Sequence, residues 1–83
     1  MDSKISQEFR ERPEEYLKKL NGTNDIWEIR IQFGNDAFRL LGFFDNGKII
    51  LTNGFAKKSK NTPKNEIELA EHRKKEYYEG KIN

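Results

Sequence analysis

Gly54-Phe-Ala-Lys-Lys-Ser-Lys-Asn-Thr-Pro-Lys-Asn-Glu-Ile-Glu-Leu-Ala70 carries the chain from its last predicted strand into its last predicted helix. Gly54 and Phe55 close an apolar run. Lys57, Lys58, Lys60 and Lys64 then place four ammonium groups within eight residues. Thr62-Pro63 reads as a helix start, with the Thr62 hydroxyl as cap and Pro63 at the first helical position, where a missing N–H costs nothing. Cations beside a helix N-terminus, which already favours anions, suggest a phosphate-facing surface; the competing reading is a solvated charged loop.

Upstream of this hinge the hydrophobic period is two. In Ile26–Phe33, Trp27, Ile29, Ile31 and Phe33 share one face, and Ile26, Glu28, Arg30 and Gln32 the other. A turn at Gly34-Asn35-Asp36 leads to a second strand, Ala37–Phe44, and Asp45-Asn46-Gly47 is a hairpin turn into a third, Lys48–Ala56. The middle strand is apolar on both faces, so something must cover each side. Downstream, a helix is expected over Pro63–Glu79, with Glu66, Ala70, Arg73 and Tyr77 along one stripe. Residues 4–20 read as helical, Pro13 starting a second short helix that stops at Asn21-Gly22. The expectation is an α+β fold: a three-stranded antiparallel meander with N-terminal helices on one side and a C-terminal helix.

Eighty-three residues make a single domain over 1–83 with a small core. Ten aromatic residues argue for packing despite 36% charged residues. With no cysteine there is no disulfide, thiolate metal site or cysteine nucleophile. No run approaches the roughly 20 apolar residues of a membrane span, and no secretory signal opens the chain, so a cytoplasmic location is expected. The net charge of +2 is unevenly spread: residues 1–56 hold 8 Lys/Arg against 9 Asp/Glu, and residues 57–83 hold 8 against 5. This suits a local patch for a few phosphates, and is too mild for a coat on DNA.

Arg30 and Arg39 interrupt apolar strands. They are either paired, with Glu28 an available partner, or directed at a phosphate, which a guanidinium grips with a rigid fork. Arg73 and Tyr77, one helical turn apart, combine a cation with a ring able to stack on a base, as a single-stranded RNA site requires; the alternative is a surface cation beside a core aromatic. His72, the only histidine, sits in a charged helical run and cannot make a zinc site alone. No phosphate-binding glycine loop, nucleophile elbow or nucleotide fingerprint is present, so catalysis would run on Lys, Arg and Tyr.

The ordered series Ile26-Trp-Glu-Ile-Arg-Ile, Phe38-Arg-Leu-Leu-Gly-Phe-Phe, Gly54-Phe-Ala-Lys-Lys and Thr62-Pro-Lys-Asn-Glu-Ile-Glu-Leu-Ala70 resembles the toxins of the RelE/ParE superfamily, in its HigB-like branch, over about residues 14–79. The resemblance implies the toxin of a type II toxin–antitoxin pair: an endoribonuclease that cuts mRNA in the ribosome without cofactor or metal, the ribose 2′-hydroxyl attacking the adjacent phosphate. By motif it assigns catalysis to Arg39, Lys57, Lys58, Arg73 and Tyr77, with Tyr78 as the alternative tyrosine. RNA binding falls to Arg30, Lys60, Lys64 and Tyr78. Lys57 or Lys58 is the expected base, crowded by other cations. The implied partners are the ribosome with its mRNA and a cognate antitoxin of helix-turn-helix type, with no membrane; a homodimer is the further expectation. Arg73→Ala is expected to abolish growth arrest. ParE-type relatives suggest the alternative of a non-catalytic protein that blocks a target such as gyrase, or a remnant that binds only an antitoxin. Family members open with a further strand and a longer helical hairpin, and this chain is expected to lack that strand.

Overall fold

In the computed structural model, which describes residues 16–82, a four-stranded antiparallel sheet carries one long helix. The strands are β1 (Leu17–Lys19), β2 (Trp27–Phe33), β3 (Asp36–Asp45) and β4 (Lys48–Ala56), hydrogen-bonded in the order β1-β2-β3-β4; the helix α1 spans Lys64–Ile82.

The hairpins follow from their turn residues. Phe33 pairs with Asp36 across Gly34-Asn35, and Asp45 pairs with Lys48 across Asn46-Gly47. Asn46 and Gly47 both have positive φ, 54° and 79°, the twist a two-residue hairpin loop requires.

The expected architecture of three strands under N-terminal helices is overturned. Leu17–Lys19 is a strand, paired with β2 in the register Leu17↔Ile29, Lys18↔Glu28, Lys19↔Trp27. The spacing of Tyr16, Leu17 and Leu20 suits a helical turn, but so short a segment gains little from helix formation, whose nucleus is costly, and much from ladder bonds to a strand edge. Asn21-Gly22, read as a helix stop, belongs to the β1–β2 connection. There the Leu20 N–H donates to the Ile26 carbonyl at 2.9 Å, and the Thr23 hydroxyl donates to the Leu20 carbonyl at 2.7 Å. Lys19 Nζ lies 2.8 Å from Asp25, and that hydrogen bond and charge hold the Asp25 carboxyl below its usual range. A strand therefore does precede the meander, and β2 is not a sheet edge. The helix expected over the first part of residues 4–20 lies outside the described residues.

A register shift at Leu41/Gly42 splits β3·β4: Leu41 faces Asn53 whereas Gly42 faces Leu51, leaving Thr52 as the extra residue of a bulge. Gly42 permits this close approach, because a Cβ there would stand 2.5 Å from the Ile50 carbonyl oxygen. Gly42→Ala should cost about 1–3 kcal/mol, as overpacking against backbone does, measured as a lower urea midpoint. Gly54→Ala should cost less, since its nearest obstacle is the Leu40 Cδ2 side-chain end.

The helix lies on one face of β3 and β4. Ile26, Leu41 and Ala70 form the buried core, flanked by Leu20, Phe55 and Ile67, with Phe43 also buried. The stripe Glu66, Ala70, Arg73, Tyr77 is the seam that joins helix to sheet. Asn53 Nδ2 donates to the Glu66 carboxylate at 2.8 Å, Arg73 Nη1 donates to the Thr52 carbonyl at the bulge, and the Tyr77 hydroxyl donates to Asp45 at 2.8 Å. The opposite sheet face is apolar and, among the described residues, largely uncovered: Phe33 is 76% and Leu51 52% exposed, and Trp27 meets Phe44 edge-on at 5.2 Å. Among the described residues no helix is long and apolar enough to cross a membrane.

Candidate functional site

Glu28 is the centre from which the site is built. Its side chain shares a face with those of Ile26 and Arg30, and Glu28 pairs with Leu41 across the β2·β3 ladder, which brings a carboxylate to the buried face at 2% exposure. A charge there needs partners. Arg30 and Arg39, directly opposed across β2·β3, put their Nε atoms 3.6 and 3.8 Å from Glu28 Oε1. Both Nε atoms are buried and make no hydrogen bond, so Glu28 holds the two guanidinium groups by charge. Its other oxygen, Oε2, accepts a hydrogen bond from the Thr62 hydroxyl at 2.5 Å.

This contact explains the start of the helix. The Thr62 hydroxyl, expected to cap it, is turned toward Glu28. The Pro63 carbonyl accepts the first helical bonds, from Glu66 N–H at 3.1 Å and Ile67 N–H at 3.2 Å, and the helix begins at Lys64. The loop from Lys57 to Thr62 is thus tied at both ends: Lys57 N–H donates to the Ala37 carbonyl at 2.8 Å, and Thr62 reaches Glu28. Within the loop, Lys57 Nζ donates to the Lys60 carbonyl at 2.9 Å, which folds the lysine back over the loop.

Between this loop and the β1–β2 edge lies a cavity of about 320 Å³, lined among others by Lys18, Glu28, Arg30, Lys57, Lys60 and Thr62. Four cations therefore border one concave surface with a single buried carboxylate behind them. Lys58, which does not line the cavity, is exposed, and Lys64 is exposed at the helix start. Arg39 is 12% exposed, donates from Nη1 to the Phe38 carbonyl at 2.9 Å, and lines a second, smaller pocket with Arg30.

Arg73, Tyr77 and Tyr78 stand elsewhere. Thirteen residues separate Lys64 from Tyr77 on the helix, about 20 Å at 1.5 Å per residue. Both tyrosine hydroxyls donate to Asp45, at 2.8 and 3.3 Å, and both rings pack on Phe43, with centroids 5.2 and 5.6 Å away. The structure thus brings Arg30, Arg39, Lys57 and Lys60 together around Glu28, and leaves Arg73 at mid-helix on the β4 bulge and the two tyrosines one turn further on, against Phe43 and Asp45. Tyr77→Phe should lose about 1 kcal/mol of stability, the usual worth of one hydrogen bond, read from urea denaturation.

Lys18 at the cavity, and Glu28 as the node behind it, were not singled out as site residues from sequence. Lys18 was hidden by the helical reading of its segment. Glu28 carried two signals: it was an available partner for Arg30 and Arg39, a pairing the structure contains, and it shares the alternating face of Ile26, which marks it as a carboxylate pointed inward. No group of three or more His, Cys, Asp or Glu among the described residues is placed to hold a metal ion.

A family model described as "Phage derived protein Gp49-like (DUF891)" matches residues 2–75. Neither a curated protein nor a solved structure matches the chain.

Proposed function

Because this chain belongs to the Gp49-like family of phage-derived proteins, a toxin-like family of the RelE type, we propose that it is an RNA-cleaving toxin of a type II toxin–antitoxin pair, in the HigB-like manner. The observation that carries this reading is the convergence of Lys18, Arg30, Lys57 and Lys60 on one cavity. A scissile phosphate seated at its mouth meets a guanidinium whose inner edge is fixed by Glu28.

In the reaction the ribose 2′-oxygen bonds to the adjacent phosphorus, and the bond from phosphorus to the 5′-oxygen breaks. The 2′-hydroxyl proton passes to a base, and the leaving 5′-oxygen takes up a proton. The phosphorane between these steps carries extra negative charge, which preorganised cations stabilise more than they stabilise the ground state. Arg30 and Lys57 take that role here. Lys57 spends one of its three N–H donors on the Lys60 carbonyl, which orients it and leaves two for phosphate oxygens. Lys58, exposed and next in the chain to Lys57, is the lysine assigned to proton transfer. The substrate in this reading is mRNA on the ribosome, and the antitoxin supplies an acidic segment that folds over the basic rim.

A second reading, a non-catalytic toxin-like protein that acts by binding an antitoxin or a target such as gyrase, is favoured by the uncovered apolar sheet face around Phe33 and Leu51. Primer extension separates the two. The protein and its Lys57→Ala variant are added to a translation reaction and, in parallel, to naked message. Cuts on translated message that vanish in the variant are the expected result. Growth arrest with intact message would transfer the assignment to the binding reading.

A further inference from the structure

The second pocket, about 170 Å³, is lined by Tyr16, Arg30, Ile31, Gln32 and Arg39. Arg30 lines both it and the phosphate cavity. We infer that this pocket is a nucleobase subsite, so that the protein grips single-stranded RNA through one phosphate and the base attached beside it, with Arg30 as the shared wall. This rests on the RNA-binding reading above and adds to it the place and chemistry of base recognition.

The lining supplies what an unstacked base needs. Tyr16 brings an aromatic ring, and ring stacking holds any base by its face. Arg30 and Arg39 are donors only, and Gln32 has an amide whose Nε2 donates to the Gly34 carbonyl at 3.1 Å, which orients its carbonyl oxygen as an acceptor. The polar lining can therefore meet both carbonyl and amino edges. Position makes the two pockets one site: Glu28 Oε1 faces the inner edges of Arg30 and Arg39 and fixes both guanidinium groups at once. The ring this account assigns to the base is Tyr16, which lines the second pocket, whereas Tyr77 and Tyr78 pack on Phe43 and bond Asp45.

The test uses the full chain and dGpG, a dinucleotide whose missing 2′-hydroxyl prevents cleavage, with inorganic phosphate as the comparison. Titration followed by NMR should shift the Tyr16 ring resonances of the unmodified protein more than those of Tyr77 or Tyr78. Tyr16→Leu should bind dGpG roughly tenfold more weakly, in the range found for single stacked bases, and bind phosphate as before. Tyr16→Phe, which keeps the ring, should bind dGpG as the unmodified protein does. The inference is overturned if Tyr77 or Tyr78 shifts in place of Tyr16, if Tyr16→Leu binds dGpG unchanged, or if dGpG binds no better than phosphate. The nuclease reading fails separately: ring shifts at Tyr16 without cleavage of translated message would retain the base subsite and remove the enzyme.

Discussion

Lys57→Ala is expected to lower the rate of message cleavage by about 10²–10³-fold, the loss seen when one preorganised donor to a developing negative charge is removed. The fold should survive, because the Nζ bond it deletes is an exposed one within the Lys57–Lys60 loop, while the backbone bond from Lys57 N–H to Ala37 is untouched. Arg73→Ala makes the contrast. The family resemblance counts Arg73 among the catalytic residues, but its Nη1 is bound to the Thr52 carbonyl at the β4 bulge. Its removal should cost about 1 kcal/mol of stability, discounted for exposure, and leave the rate per folded molecule near that of the unmodified protein. Single-turnover cleavage measured beside a urea titration distinguishes them. If Arg73→Ala proves the rate-deficient variant and Lys57→Ala stays active, the site lies at the middle of the helix beside the β4 bulge and the cavity assignment is wrong.

Glu28→Ala should have the largest effect on stability of any single change, about 3–5 kcal/mol, the usual penalty for breaking a buried charge pair from one side. Two guanidinium groups would remain on the buried face with no carboxylate, and Thr62 would lose its acceptor. A domain of this size has about 5–10 kcal/mol in all, so half of its stability is at stake. Arg30, with its side chain 36% exposed, can relax toward water; Arg39, at 12%, cannot. Replacing Arg39 together with Glu28, by Met and Leu, should therefore recover much of the loss, since apolar side chains of similar size need no counter-charge. Thermal and urea unfolding of the single and double variants measure this. A Glu28→Ala protein that unfolds with the unmodified midpoint would show that the carboxylate does not hold the node.

The two predictions differ in how far they were foreseeable. Lys57, Lys60 and Arg30 stood out as cations in an informative order, because charge and short motifs are properties of the chain itself. That Lys57 and Arg30 border one cavity with Lys18 was not legible, because the cavity forms only when β1 closes against β2. The segment around Leu17 has a spacing equally good for a helical turn. Three residues are too few for periodicity to decide, and pairing with Ile29, twelve residues away, decided it. The stripe Glu66, Ala70, Arg73, Tyr77 was correctly placed on one side of the helix, yet which partner it met depended on the bulge. Thr52 and Asn53 present their carbonyl and amide to the helix because the β3·β4 register shifts beside Gly42.

By itself the sequence determined the three long strands, the Asn46-Gly47 turn and a terminal helix, expected from Pro63 and observed from Lys64, since alternation, positive-φ residues and proline act on the backbone within a few residues of where they stand. Tertiary structure alone decided that Leu17–Lys19 is a strand, that Thr62 gives up its cap to bond Glu28, and that Arg73 and Tyr77 turn to the sheet, at Thr52 and Asp45. Those outcomes depend on side chains up to 34 residues apart meeting across a sheet. Register and burial set such meetings, and neither is written in any local stretch of the chain.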